Sequence, residues 1–539
     1  MRFIVQPDRR FPSDTGPRAA ILALNNWDDF GYRTSYDLWI RPSKNTRPIE
    51  IGRVKIALID QEPGPSPLPL GDFDERLPTD LGQWISLGQD DLYYERIAAL
   101  GHHAAGEVLS GLGDITDGLV DLNSAEARLF ELSVSSQAVQ TSLLRSVSMN
   151  TILHQFRRIT TGGPRLTRYK FSYNPPQQNP EAPARPPLEF EVRPGSVPSS
   201  SIHVLIGRNG VGKTTLLRSL ATAAVRPLDL PETAGKITYI EETGFANVLL
   251  VTFSAFDPFS GITPSHTTTR YTHVGLTTQV PDSETNDGHT ARLKGREELA
   301  DEFLDSLKSI STSGHYDRWV DSLATLASDP QFNAAVLDDT AEPIGPHFAG
   351  RPIDNLVSLQ DHDLATGTGR LWRDIFMSLS SGHAIVLLTL TRLVDLVAEQ
   401  TLVLLDEPET HLHPPLLSSF VRALSDLLTE RNGVAITATH SPVVLQEVPR
   451  SCVYKISRNG SRGRARRPRI ETYGENVGVL THEIFGLEVM KSGFYAEIEK
   501  AVDQFDTYED VLGHFEDQLG DEAKGLVRIL LADKRAEDH

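Results

Sequence analysis

Cysteine is almost missing from this chain of 539 residues: Cys452 is the only one, which excludes an internal disulfide framework and any zinc site built from several thiolates. A reducing, cytoplasmic setting is therefore expected. Positive charge is also scarce. The 52 lysines and arginines face 72 acids, and the net charge of −20 opposes indiscriminate coating of nucleic acid while leaving room for a local basic patch. Long apolar runs are lacking as well. The most apolar long segment, 384–405, carries Arg392, Asp395 and Glu399, and the opening residues MRFIVQPDRRF hold no apolar signal core. Neither a secretion signal nor a membrane span is expected, so the membrane part of any transport machine would be another polypeptide. No internal repeat or sustained heptad pattern occurs. The remaining composition, 39% apolar and 23% charged, suits a folded globular chain, and length alone suggests about three or four domains.

Short strand-like runs come first, at Ala19–Leu24, Tyr36–Ile40 and Val54–Ile59, and read as a small sheet. After a proline-rich break at 62–70, Leu92, Ile97 and Leu100, then Val108, Leu109, Leu112 and Ile115, recur at helical spacing. The segment NPPQQNPEAPARPP (174–187) cannot sustain a helix, because proline lacks the N–H donor and biases its predecessor to extended backbone. It reads as a linker or long hairpin loop, and Leu188–Val192 and Ile202–Ile206 beyond it as buried strands. Residues 261–374 are mixed, with a polar loop at 265–286 and helices at Leu299–Leu307 and Trp319–Leu326. From Trp372 onward helix, strand Leu402–Leu405, helix Leu416–Leu428 and strand Val434–Thr437 alternate, the signature of a parallel sheet flanked by helices. The tail closes with helices, one face formed by Phe494, Ile498, Val502 and Phe505 and another by Leu526, Ile529 and Leu530.

Three motifs carry chemistry. Gly207-Arg208-Asn209-Gly210-Val211-Gly212-Lys213-Thr214 matches G-x-x-x-x-G-K-[ST] between a buried strand and a helical run beginning at Thr215. Glycines let successive backbone N–H groups face phosphate oxygens, and the helix N-terminus adds its positive end. On this reading Gly207, Asn209, Gly210, Gly212, Lys213, Thr214 and Thr215 hold ATP, Lys213 reaching the β and γ phosphates and Thr214 ligating Mg²⁺. Next, the strand Leu402–Leu405 delivers Asp406 and Glu407 at its C-terminal end, where parallel sheets collect ligands. Asp406 suits the metal, and Glu407 suits a general base that orients and deprotonates the attacking water. Finally, Leu379-Ser380-Ser381-Gly382-His383 opens an apolar helix about twenty residues before the acidic strand.

In chain order these elements resemble the Walker A, signature and Walker B parts of an ABC ATPase, and specifically the SMC, RecF and OLD-like branch. The stretch 406–414, DEPETHLHP, is similar to that of stand-alone OLD-like bacterial ATPases, and Thr439-His440-Ser441-Pro442 resembles their switch histidine. The resemblance implies a head-to-tail dimer in which Ser380 and Gly382 of one chain cap the γ-phosphate held by Lys213 of the other. It also implies that His440 contacts the γ-phosphate from the chain that supplies Glu407. Ser381 and His383 depart from the usual glycine and glutamine of the signature. Ser254-Ala255-Phe256-Asp257 stands where a glutamine is expected after strand 248–253, leaving Asp257 as a turn residue or an outer-shell metal group. The fold expected is α/β: an ABC-type P-loop head with a parallel sheet flanked by helices, a small antiparallel sheet, helical insertions and a helical C-terminal tail. Residues 1–60 would supply N-terminal strands of the head, 61–165 a helical insertion, 166–260 the Walker A lobe, and 261–370 a helical and loop region. Residues 371–458 would form the signature, Walker B and switch-histidine lobe, and 459–539 an Arg-rich hairpin with C-terminal helices.

About 165 residues separate the phosphate loop from Ser380, too few for a long coiled-coil arm, and about 100 follow His440, too few for a Toprim nuclease. An ATPase without its own effector points to a partner. The plan resembles ATPase subunits of bacterial antiphage systems such as Septu, in which a separate HNH nuclease or other toxin is held in check. A RecF-like DNA repair ATPase and an ABC transporter motor are the alternatives. Six arginines in 458–469, SRNGSRGRARRPR with its leading serine, form either a solvated hairpin or a loop that tracks DNA or RNA phosphates.

Overall fold

Six strands build the first sheet, all but the exposed β5 with mostly buried side chains. They are β1 (Arg2–Gln6), β2 (Ala19–Leu24), β3 (Ser35–Arg41), β4 (Ile49–Leu58), β5 (Gly71–Asp74) and β6 (Trp84–Gly88). Their order is β5-β1-β2-β3-β4-β6, antiparallel except for the β1–β2 pair. The computed structural model describes residues 1–8, 18–25, 27–42, 46–117, 136–149, 151–163, 166–176, 186–225, 231, 234–240, 244–253, 262, 269–281, 289–313, 315–327, 332, 347–348, 351–352, 368–459, 462–489 and 493–537. Helix α1 (Asp91–Ala98) starts where the Asp90 carboxylate accepts from the Leu92 amide, and α2 (His102–Leu112) ends at Gly113 in the left-handed region. Tyr93, Tyr94, Ile97, Val108 and Leu112 pack with Phe3, Leu22, Leu38 and Ile56 into one core, which extends to Ile152 and Ile159 before and within α3 (Arg157–Thr160). Each such side chain contributes about 1.5–3 kcal/mol on burial.

This arrangement corrects the expected division of the N-terminal third. Strands of residues 1–60 do not join the expected head, and 61–165 is not purely helical, because β5 and β6 complete the same sheet. The apolar faces of β1–β4 are buried by α1 and α2 rather than by the head, giving residues 3–159 a core of their own.

The second sheet has seven strands: β9 (Ile202–Ile206), β11 (Asn247–Thr252), β12 (Arg270–Gly275), β17 (Thr401–Asp406), β18 (Val434–Thr439), β19 (Val453–Asn459) and β20 (Arg462–Arg466). They lie in the order β12-β11-β17-β18-β9-β19-β20, all pairs parallel except β19–β20. Along β17, Leu402 and Leu404 face one layer and Val403 and Leu405 the other, so both faces are covered. One layer holds α4 (Lys213–Val225) and a small antiparallel sheet, β10-β7-β8, of β7 (Tyr169–Asn174), β8 (Leu188–Val192) and β10 (Lys236–Tyr239). The other holds α5 (Arg296–Ser313), α6 (Tyr316–Leu326), α7 (Thr368–Ser378), α8 (Ser381–Leu396) and α9 (Pro414–Glu430).

The α/β class with a parallel sheet and flanking helices is what the sequence predicts. The polar loop expected at 265–286 differs: the described parts form β12 on the central sheet and a hairpin of β13 (Thr277–Pro281) with β14 (His289–Leu293). A two-strand pair, β15 (His347–Phe348) with β16 (Arg351–Pro352), precedes α7. After α10 (Pro442–Gln446) and the hairpin comes α11 (Val477–Val489), then α12 (Phe494–Gln504), α13 (Tyr508–His514) and α14 (Asp521–Glu537). The last three share a separate small core around Ile498, Val502 and Val527. Leu526 belongs to it, but Ile529 is exposed, because α14 turns that side to solvent.

The N-terminal unit docks on the head through buried charge. Asp90 and Asp91 at the start of α1 meet Arg318 of α6 and Arg431 just beyond α9, with His315 Nε2 3.0 Å from Asp90 Oδ2. Arg158 of α3 reaches Glu399 at 2.6 Å, just ahead of β17. Burial opposes the Asp91 charge and lifts its carboxyl to about 6, while Arg431 and Arg318 hold Asp90 well below the usual range against the same burial.

Candidate active site

Parallel pairing brings the motifs to one edge. Asp406, the last residue of β17, is in register with Ala438 on β18 and Thr252 on β11, and Thr439 on β18 with Ile206 on β9. Since β18 separates β9 from β17, the segments that leave all three strands converge: the loop 207–212, then Glu407, then His440.

The loop needs glycine for two reasons. A Cβ on Gly207 would sit 2.3 Å from the Ile456 carbonyl oxygen, so β19 packs directly against its backbone. Gly210 and Gly212 have φ of 78° and 92°, and a Cβ at either would meet nothing within 4 Å, leaving an open concave backbone. Asn209 lies on the exposed turn of this loop, and Thr215 is exposed on the first turn of α4. Lys213, at the head of α4, is buried, and its Nζ donates to Gly207 O at 2.9 Å and Arg208 O at 3.1 Å. Burial pushes its ammonium below the usual lysine range against the pull of Glu407, Glu409 and Asp406.

Thr214 Oγ1 donates to Asp406 Oδ1 at 3.0 Å. Burial, with Glu407 and Glu409 close by, lifts the Asp406 carboxyl to about 6, against the Thr214 hydrogen bond and Lys213. A hydroxyl and a carboxylate side by side, next to a buried ammonium and an amide-lined loop, fit a hard divalent cation carrying a polyphosphate.

Glu407 turns the chain with φ 48° and ψ 59°, the left-handed region that a residue with a Cβ enters at a cost. Its amide donates to Ala438 O at 2.9 Å, and its carbonyl accepts from the Thr410 hydroxyl at 2.9 Å. The turn projects a half-exposed carboxylate beyond the strand ends. Two residues on, Glu409 Oε1 accepts from Thr439 Oγ1 at 2.6 Å and from the His440 amide at 2.7 Å, and lies 3.1 Å from His440 Nδ1. His440 Nδ1 is 3.9 Å from Glu407 Oε1, beyond hydrogen-bond reach. Glu409 is a residue the motif reading passed over: the stretch 406–414 contains it, but only the fold shows that it ties the β17 turn to the β18 turn.

Ser380 caps α8, with its Oγ 2.6 Å from His383 Nδ1. A Cβ on Gly382 would lie 2.4 Å from His411 O, so the start of α8 leans on the turn that follows Glu407. This close approach gives Gly382 a packing reason within its own chain. Among the described residues the side-chain hydrogen bonds of Ser380 go to His383, and none joins it to the phosphate loop. Ser254 to Asp257 lie outside the described residues. Beside the loop a shallow apolar crevice runs past Pro175, Pro186, Leu188, Val211 and Ile456, with Arg464 at its rim.

Residues 352–446 match the family described as "AAA domain, putative AbiEii toxin, Type IV TA system", a span that contains Ser380, Asp406, Glu407 and His440. A solved structure described as "An inward-facing conformation of a putative metal-chelate type ABC transporter" is 17% identical and aligns over 59% of this chain and 89% of that one, with a TM-score of 0.28. Protein ea59 of Escherichia phage lambda is 35% identical over 529 residues, which are 96% of this chain and 95% of that protein. Given that identity over nearly the full length of both, the chain belongs to the family of protein ea59, and residues 352–446 of its head match an AAA domain.

Proposed function

We propose that the chain binds MgATP and hydrolyses it as a dimer whose closure gates a bound effector. The observation that carries this reading is the meeting of Thr214 and Asp406 at 3.0 Å beside the buried Lys213. The loop amides and Lys213 would hold the β and γ phosphates, and Thr214 and Asp406 would hold the metal. Bound Mg²⁺ would neutralise charge on the phosphate oxygens. Glu407, thrust past the strand ends by its left-handed backbone, orients water and takes its proton. His440, fixed by Glu409, stands at the γ end. Ser380 and Gly382 from a second chain would complete the site, so turnover would require pairing.

The effector is a separate polypeptide, a nuclease of the HNH kind or another toxin, and the setting is phage defence. A toxin–antitoxin description on the matching family and a phage-encoded relative support this finer reading. The buried charges joining Asp90 and Asp91 to Arg431, at the far end of the helix that follows Glu407, offer a route for nucleotide state to reach the N-terminal unit.

Magnesium-dependent ATPase assays on wild type, Lys213→Ala and Glu407→Gln, run alongside sedimentation with and without ATP, test the reading. Loss of turnover in both variants, with ATP-dependent dimerisation of Glu407→Gln, is expected. Normal turnover by Lys213→Ala, or equal turnover by an enforced monomer, overturns it. Co-purification of the Glu407→Gln chain with a nuclease or toxin tests the effector, and recovery of a permease instead would contradict it.

A further inference from the structure

Between Glu447 and Glu471 the chain carries no acid and eight cations, Arg450, Lys455, Arg458, Arg462, Arg464, Arg466, Arg467 and Arg469, in a molecule whose net charge is −20. Most of this segment is the ribbon β19–β20 at one edge of the central sheet. Ile456 and Ala465, opposite each other, face the apolar layer, so the other face carries Lys455, Ser457, Arg464 and Arg466. Some of the cations serve the fold. Arg467 lies over the Tyr454 ring and donates to Val453 O and Glu189 O, and Lys455 donates to Glu483 O. Arg464, Arg466 and Arg469 do not: all three are exposed, and among the described residues none of their guanidinium groups has an acidic partner. Elsewhere on this chain some exposed arginines, such as Arg193, Arg292 and Arg422, are paired with a carboxylate and others, such as Arg33, Arg76 and Arg218, stand singly among the described residues, so what sets the ribbon apart is that its three lie together. Charge on an edge strand also deters pairing between chains, yet Arg469 lies beyond β20 and adds nothing to that defence.

We infer that this ribbon is a binding site for the phosphate backbone of nucleic acid, with Arg464, Arg466 and Arg469 as the phosphate ligands. Arg464 and Arg466 stand two residues apart on a strand, about 6.8 Å, so each can meet a different phosphate of the closely spaced backbone charges. Guanidinium groups grip phosphate bidentately. No aromatic residue lies in 455–472, so the ribbon offers no stacking platform, and the recognition is independent of sequence and favours the more densely charged duplex over a single strand. The place of the ribbon is as telling as its charge. β19 pairs with β9 through Lys455 and Ile206, and the Ile456 carbonyl abuts Gly207, so a strand held on the ribbon rests on the same backbone as the phosphate loop.

Fluorescence anisotropy of a labelled duplex of mixed sequence, titrated with the full-length chain from about 50 to 200 mM salt, tests this without any nucleotide. It therefore stands apart from the ATPase reading. Wild type is expected to bind with a steep salt dependence. R464A/R466A should bind at least tenfold more weakly at the lower salt, and its log–log salt slope should be shallower by about 1.8. R464K/R466K should keep the slope, and Arg422→Ala, removing an exposed arginine elsewhere, should change neither quantity. If the alanine pair melts early, R464Q/R466Q takes its place. Absence of wild-type binding at low salt, an unchanged slope in a well-folded double variant, or tighter binding of a single strand than of the duplex overturns the inference.

Discussion

Glu409 and His440 meet across the gap between two strand ends, with the glutamate Oε1 accepting the histidine amide at 2.7 Å and lying 3.1 Å from its Nδ1. A carboxylate on Nδ1 fixes the ring and leaves Nε2 as the nitrogen that would meet substrate on the proposed function. Removing such a charge-assisted contact costs about 1.5–3 kcal/mol. Glu409→Ala should therefore lower kcat by about 10- to 100-fold while leaving the KM for ATP nearly unchanged. Steady-state kinetics distinguish this from a general loss of structure, which would move both, and Glu409→Gln should fall in between.

The backbone at Glu407 yields a second expectation. With φ at 48°, alanine there keeps the strain and glycine removes it. Glu407→Gly should be more stable than Glu407→Ala by about 1 kcal/mol in urea unfolding, although both lose the carboxylate and with it turnover. Equal stability of the two would show that the turn is not strained.

Asp406 makes stability and function oppose each other. Its carboxyl is lifted to about 6 from 3.8, so the folded state holds that proton more tightly than the unfolded chain does. Above pH 6 the ionised group burdens the fold by as much as about 3 kcal/mol, and the burden fades as pH falls from 6 toward 3.8. Asp406→Asn should thus unfold at higher urea than wild type at neutral pH, with the gap closing under acid. Stabilisation by magnesium and nucleotide should vanish in the same variant.

The charge cluster between the N-terminal unit and the head predicts a severe single change. Arg318 binds Asp90, Asp91 and Glu430 from a buried position. Arg318→Ala leaves two adjacent buried carboxylates to share the single charge of Arg431 and should cost about 3–5 kcal/mol. Unfolding in urea measures the loss, and amide exchange should rise first around α1 and the end of α9.

Much of the head was legible because its chemistry is local. A glycine-rich turn needs its glycines where the backbone must curl, and Leu402–Leu405 followed by two acids announces a buried strand with ligands at its end. Residues 1–60 misled for the opposite reason. Their alternation shows that they are strands, but not which apolar surface covers them, and that surface turned out to be α1 and α2. Polar strands such as β12, Arg270–Gly275, carry too few apolar residues to be read without the neighbour they pair with.

By itself the sequence determined the glycine-rich turn, the acidic strand and the parallel α/β class, since each depends on residues close together in the chain and on the geometry of one turn or strand. Tertiary structure alone decided that Glu409 serves His440, that Gly382 must be small to clear His411, and that Arg464 and Arg466 share an open face. These facts depend on the strand order β17-β18-β9-β19, which is set by how two apolar layers close over a sheet and not by any one segment.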